Sequence, residues 1–175
     1  ADVEREMEAQ VQTVLDAGLS PTHIDPHMYT VFHRRQMVES VLRIAERHNV
    51  VVPFAPPGRL EEFRSRGLVV GESFNGFYRI PAEEEEPDLA WKAYDQWFRR
   101  LCPGVHYLFL HPARVTPELD GLIRSGYLRR RDLEIWTSDR TAELAESLDI
   151  HFIGTREMQE LQRKTLSTPG GERLG

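Results

Sequence analysis

The sequence predicts an α/β fold with a mainly parallel sheet, and three observations carry that prediction. Short apolar runs alternate along the chain with segments whose apolar positions recur every three or four residues, the alternation expected of βαβ units. The run from Val50 to Phe54 is apolar without a break, as in a strand buried on both faces. A length of 175 residues with no linker-like stretch suits one folded unit, expected over residues 1–166 with a flexible tail over 167–175 that is rich in Gly, Pro and small polar residues.

In order, Val3, Met7, Val11 and Val14 fall on one stripe of a first helix, which Gly18 is suited to close in the left-handed conformation. A short strand is expected at Thr22, His23 and Ile24. Beyond a loop bearing His27, residues 34–49 place Met37, Val41, Ile44 and Ala45 on a helical face and lead into the Val50–Phe54 strand. Residues 59–67 read as a short helix closed by Gly67, and 68–71 and 73–80 contain extended segments. The next helix, over 87–104, has Pro87 at a favourable first-turn position. A strand over 105–110 precedes a helix with Thr116 as N-cap and Pro117 at its first position. A strand at 133–136, a helix over 138–148, a strand at 150–154 and a helix over 155–164 complete the set.

Composition narrows the function classes. The formal charge of −6 argues against a nucleic-acid partner. The run Glu83 to Glu86 reads as a solvated loop. No apolar run approaches the roughly 18 residues that span a bilayer, so no membrane partner is expected. The acidic first residues do not resemble a secretory signal, and the lone Cys102 can make no internal disulfide. Cytoplasmic residence is the resulting expectation.

Functional groups in parallel α/β folds gather where strands end and loops begin. His23 and Asp25 lie two apart on or just past a predicted strand, so both would point to one side, with His27 in the loop beyond. His111 holds the corresponding place after the 105–110 strand, and two strand ends are expected to converge. Imidazole and carboxylate together suit zinc or another divalent ion, although a catalytic site needs about three protein ligands. The ordinary reading stands beside this one: a partly buried His23, a turn-capping Asp25, a solvated His27 and a strand-end His111 bonded to a carbonyl. His33, His48, His106 and His151 sit on a helix, at its end or at strand starts, and are set aside. Phe74 and Phe77 flank Gly76 in a stretch able to stack on the flat face of a sugar ring, or else simply forming a bulged strand. Trp91, Tyr94, Trp97 and Phe98 read as a core-facing aromatic stripe. The sequence has no nucleophile-elbow, phosphate-loop, HExxH or paired CxxC signature, which leaves metal-assisted chemistry as the main enzymatic option.

Taken in order, PTHIDPHMY, FNGF, PGVHYLFLHPAR and RRRDLEIWTSD resemble the landmarks of the YdjC-like (ChbG-like) carbohydrate deacetylases, most specifically at PTHIDPH. The resemblance implies a partial (β/α) barrel-like fold. It also implies a hydrolase that uses a divalent metal ion, Zn or Mg, to remove acetyl groups from N-acetylated oligosaccharides of chito-oligosaccharide type. Carried onto this sequence, it makes His27 the metal ligand, His111 and Asp25 the catalytic residues, and His23, Phe74 and Phe77 substrate-binding residues. The implied mechanism, given the family segment that has no counterpart here, has the metal lower the pKa of bound water to about 7, with a carboxylate from that segment taking the proton and His111 protonating the leaving amine. Histidine suits that last step because its reference pKa is about 6.5.

Departures from the family pattern shape the expectation further. The family's Asp-Asp pair and a later histidine-bearing strand have no counterpart here, so the chain resembles only the C-terminal part of a complete member. Pro26 stands where a small residue is usual, Met28 and Tyr29 replace a stretch richer in histidine, and Ala113 replaces a glycine. Weak metal binding with little turnover is expected, together with homo-oligomerisation through the open edges of a partial barrel. The competing reading is a non-catalytic carbohydrate-binding or assembly protein derived from the same fold. A barrel hydrolase or isomerase acting on a phosphorylated or plain sugar ranks last, since no phosphate-cradling glycine loop supports it.

Overall fold

A computed structural model describes residues 2–72, 74–75, 89–123 and 126–167. Its elements in chain order are α1 (Asp2–Asp16), a 3-10 helix (His27–His33), α2 (Arg35–His48), α3 (Leu60–Ser65), β1 (Phe74–Asn75), α4 (Leu89–Phe98), β2 (Tyr107–Leu108), α5 (Pro117–Leu122), α6 (Gly126–Trp136), α7 (Asp139–Ser147) and α8 (Thr155–Ser167). They fall into two compact units, one made of Ala1–Glu72 with Ile153–Gly175 and the other of Ser73–Phe152.

This architecture corrects the expected α/β fold with its partial (β/α) barrel and mainly parallel sheet: the described residues are mostly helical. Strand pairing among them is confined to Phe74 opposite Tyr107, Asn75 opposite Leu108, and a single bridge between His23 and Val51. The expected strand at 133–136 is the last turn of α6, where Arg131 and Ile135 are buried four residues apart on one helical face. Residues 151–154 are exposed and belong to neither helix nor strand. An apolar run reports burial; it does not say what its backbone bonds to. Val50, Val51 and Val52 are buried as expected, and Val50 and Val52 share a cluster with Val38, Val41, Leu42 and Ala45 of α2 and Phe63 of α3.

In the first unit, Val38, Val41, Leu42 and Ala45 pack inward at three- and four-residue spacing along α2 against Val52 and Phe63. Ile44 is also fully buried, while Met37 from the expected stripe is only half-buried. Burying each of the larger side chains contributes about 1.5–3 kcal/mol. Helix α1 lies against α2 through Met7, through ion pairs of Glu4 with Arg43 (2.7 Å) and of Glu8 with Arg47 (2.5 Å), and through a hydrogen bond between Glu8 and His48 (2.6 Å).

Four helices end in one way. Gly18 (φ 75°), Asn49 (φ 47°), Gly67 (φ 79°) and Asp149 (φ 54°) are left-handed, and the residue after each donates to the carbonyl five positions back. Gly18 and Gly67 are the two expected closers.

Helix α8 completes the first unit with two buried glutamines. Gln159 Nε2 donates to the Asn49 carbonyl (2.8 Å), and Gln162 Nε2 donates to Asn49 Oδ1 (3.1 Å) and the Val50 carbonyl (3.4 Å). Side-chain amides thus take part of the bonding that a neighbouring strand would supply.

In the second unit, Tyr94 and Ala90 of α4 pack with Ile135 of α6, and Trp136 meets Tyr94 edge-on at 5.8 Å. The expected aromatic stripe is thus core, with Tyr94 and Phe98 buried and Trp91 and Trp97 half-buried. Thr116 caps α5 as expected, accepting from the Leu119 amide (3.2 Å), with Pro117 opening the helix. Ser138 caps α7 by accepting from the Arg140 amide (3.2 Å). Phe77, Pro87 and the run Glu83–Glu86 lie outside the described residues, as does the expected tail beyond Ser167. Among the described residues no helix is long and apolar enough to cross a membrane.

Candidate functional site

His23, Asp25 and His27 lie on one exposed loop of the first unit. Two backbone bonds anchor it: the Val51 amide donates to the Thr22 carbonyl (2.9 Å), and the Ile24 amide donates to the Val51 carbonyl (2.9 Å). Extended backbone then alternates its side chains, so Ile24 packs on the core while His23 and Asp25 face solvent. Pro26 is buried, and the chain turns sharply as the His27 amide donates to the Asp25 carbonyl (2.9 Å) and the Tyr29 amide to the Pro26 carbonyl (2.9 Å).

The turn is strained. Met28 (φ 55°, ψ 22°) and Tyr29 (φ 57°, ψ 15°) are consecutive left-handed residues with side chains, a conformation that costs about 1–3 kcal/mol each. What holds it is packing: the Tyr29 ring meets Phe54 edge-on at 5.5 Å, and Phe54 meets Phe32 likewise at 5.5 Å. Partial burial and the nearby Asp25 carboxylate push the Tyr29 hydroxyl above its ordinary pKa. Met28, by contrast, is 72% exposed.

Helix α8 supplies the partner that orients His23. Nδ1 lies 3.1 Å from Thr155 Oγ1 and 3.2 Å from Thr22 Oγ1, and the two hydroxyls are 2.7 Å apart. Thr155 was missed in the sequence because a threonine at a helix start reads as an ordinary cap. The residue stands 132 positions from His23.

His111 belongs to the second unit. Its amide donates to Asp132 Oδ2 (2.9 Å), the other carboxylate oxygen of Asp132 accepts from the Tyr94 hydroxyl (3.3 Å), and the His111 ring meets Phe109 edge-on at 5.7 Å. Asp132 was also missed, being legible only as the end of a basic run. Phe74 sits in β1 opposite Tyr107, and Phe77 is not among the described residues. Of the histidines set aside, His48 bonds Glu8 of α1, His106 Nε2 bonds the Cys102 carbonyl (2.7 Å), and His151 pairs with Asp149 (3.3 Å).

The donor set can be tested against the divalent ion that the resemblance implies. Among the described residues no three His, Cys, Asp or Glu side chains come together in a group that could hold a metal ion. The described donors therefore fall short of the roughly three that a catalytic metal needs.

Comparison with known proteins extends these observations. A family model described as YdjC-like protein matches residues 1–147. The chain is 33% identical over 133 residues to a carbohydrate deacetylase of Thermus thermophilus, an alignment covering 67% of this chain and 46% of that protein. The chain therefore spans about half the length of the curated relative it matches. The family match ends before α8 and Thr155.

Proposed function

This chain belongs to the YdjC-like family, and on that premise we propose that it serves the hydrolytic removal of acetyl groups from N-acetylated sugars of chito-oligosaccharide type. Its kinship with a carbohydrate deacetylase supports the reading. The structural observation that carries it is the loop at residues 23–29, where His23, Asp25 and His27 are exposed directly before two strained left-handed residues. Strain of this kind persists where the surroundings over-determine it, and it clusters at active sites and ligand clamps.

Deacetylation adds water to the acetyl carbonyl carbon, breaks the C–N bond and releases acetate and a free amine. The nitrogen must gain a proton as it leaves, and His111 is our choice for that donor. On the first unit, Asp25 is proposed as a carboxylate for proton transfer, with His23 and His27 forming the polar surface beside it. The divalent ion is not assigned to this chain, because its described donors do not make up a set. That shortfall favours a second reading, sugar binding without turnover.

The test is acetate release from diacetylchitobiose by the 175-residue chain, run beside His111→Ala and alongside calorimetric sugar binding in the presence of EDTA. Slow release that drops by about a hundredfold or more in the variant is the expected result. Binding that survives EDTA without any release would replace catalysis by the second reading. Neither release nor binding would overturn both.

A further inference from the structure

We propose that Asp132 is a positioning residue for His111, acting through the backbone rather than on the ring. This rests on the reading of His111 as proton donor and goes one step past it.

One carboxylate joins three elements. Asp132, on α6, takes the His111 amide at 2.9 Å with Oδ2 and the Tyr94 hydroxyl of α4 at 3.3 Å with Oδ1. Three residues earlier on the same helix, the Arg129 carbonyl accepts from the Ala113 amide at 3.1 Å. Positions three apart share a helical face, so α6 grips the chain on both sides of Pro112. Proline itself has a fixed φ and no amide to donate. The main chain over residues 111–113 is thereby held at both ends, and so is the direction in which the His111 side chain leaves it.

The two bonds differ in kind. A carboxylate accepting from an amide is charge-assisted and stronger than the carbonyl contact at Ala113. Glu134, two residues further along α6, shows the alternative for an acidic side chain on this helix: it is exposed and lies 3.7 Å from Arg130. Asp132 is instead half-buried and accepts from two neutral donors, with the Arg131 guanidinium as its charged neighbour. A proton donor displaced by about 1 Å can lose about a hundredfold in rate, so the anchor matters to any reaction that His111 serves.

The experiment compares Asp132→Asn, Tyr94→Phe, His111→Ala and the double variant His111→Ala/Asp132→Asn in the whole chain, reading kcat and KM for acetate release and the melting temperature. Asparagine keeps the shape but can accept with only one oxygen and carries no charge. Asp132→Asn is expected to lower kcat about tenfold or more with KM nearly unchanged. The double variant should be no slower than His111→Ala alone, because the anchor acts only through His111. Tyr94→Phe removes the other bond to the same carboxylate and should keep kcat within about twofold of wild type. Additive losses in the double variant, or a Tyr94→Phe that falls as far as Asp132→Asn, would show a merely structural role and overturn the inference. Full activity in Asp132→Asn beside a slow His111→Ala would also overturn it. His111→Ala as active as wild type, or a wild-type chain that releases no acetate, would instead overturn the functional reading first and this inference with it.

Discussion

The side chain of Gln162 accepts a hydrogen bond at 3.0 Å from the backbone amide of Val69, a residue 93 positions away. Gln162 is 0% exposed, and its Nε2 also serves Asn49 and the Val50 carbonyl. Replacing it with leucine keeps the volume but leaves those groups without this partner. A buried group left unsatisfied costs about 1–3 kcal/mol. Gln162→Leu is expected to destabilise the first unit by about 2 kcal/mol or more in urea unfolding; a loss of less than about 0.5 kcal/mol would show that water replaces the amide without cost.

Met28 makes the opposite prediction. Its left-handed backbone is strained while its side chain is mostly solvated, so Met28→Gly removes strain and little packing. A gain of up to about 1 kcal/mol in stability is expected, reduced by the greater freedom of glycine in the unfolded chain. Thermal melts settle the sign, and a clear loss would mean that the side chain is held by contacts that matter.

Acid should loosen the contact between α1 and α2. The hydrogen bond from Arg43 holds the Glu4 carboxyl below the usual glutamate range. For Glu8, burial works against the charge, but the bonds from His48 and Arg47 outweigh it and its pKa is also lowered. A carboxyl depressed in the folded state adds stability above its unfolded pKa, and that stability is lost as pH falls through the folded value. The melting temperature should therefore hold from neutrality to about pH 5 and fall below about pH 4. Arg43→Ala should flatten part of that fall; an unchanged profile would remove Glu4 from the account.

Zinc provides a direct check on the donor set. Calorimetric titration of the metal-stripped chain is expected to show weak binding without defined stoichiometry, since the described donors do not form a group of three. One-to-one binding that disappears in His27→Ala would contradict this and make His27 a true ligand of a site that this chain completes.

Much of the helical framework was legible because its signals are local. Gly18 and Gly67 announce helix ends, and Thr116 with Pro117 announces a start, through the conformations those residues prefer. Asn49 and Asp149 perform the same closure as the two glycines, but their types do not announce it, because side chains there pay a steric penalty that only the folded surroundings outweigh. The strand expected at 133–136 failed for a related reason. Leu133 to Trp136 could extend or coil, and packing of Ile135 with Tyr94 selects the helix.

By itself the sequence determined the family, through motifs such as PTHIDPH, and it offers His23, Asp25, His27 and His111 as candidates. The tertiary structure decided what those residues touch: Thr155 at His23 and Asp132 at the His111 amide, while α2 residues cluster with Val50 and Val52. The division follows from range. A turn or cap depends on neighbours a few positions away, whereas these partners stand 21 and 132 positions apart and are chosen by how whole elements pack.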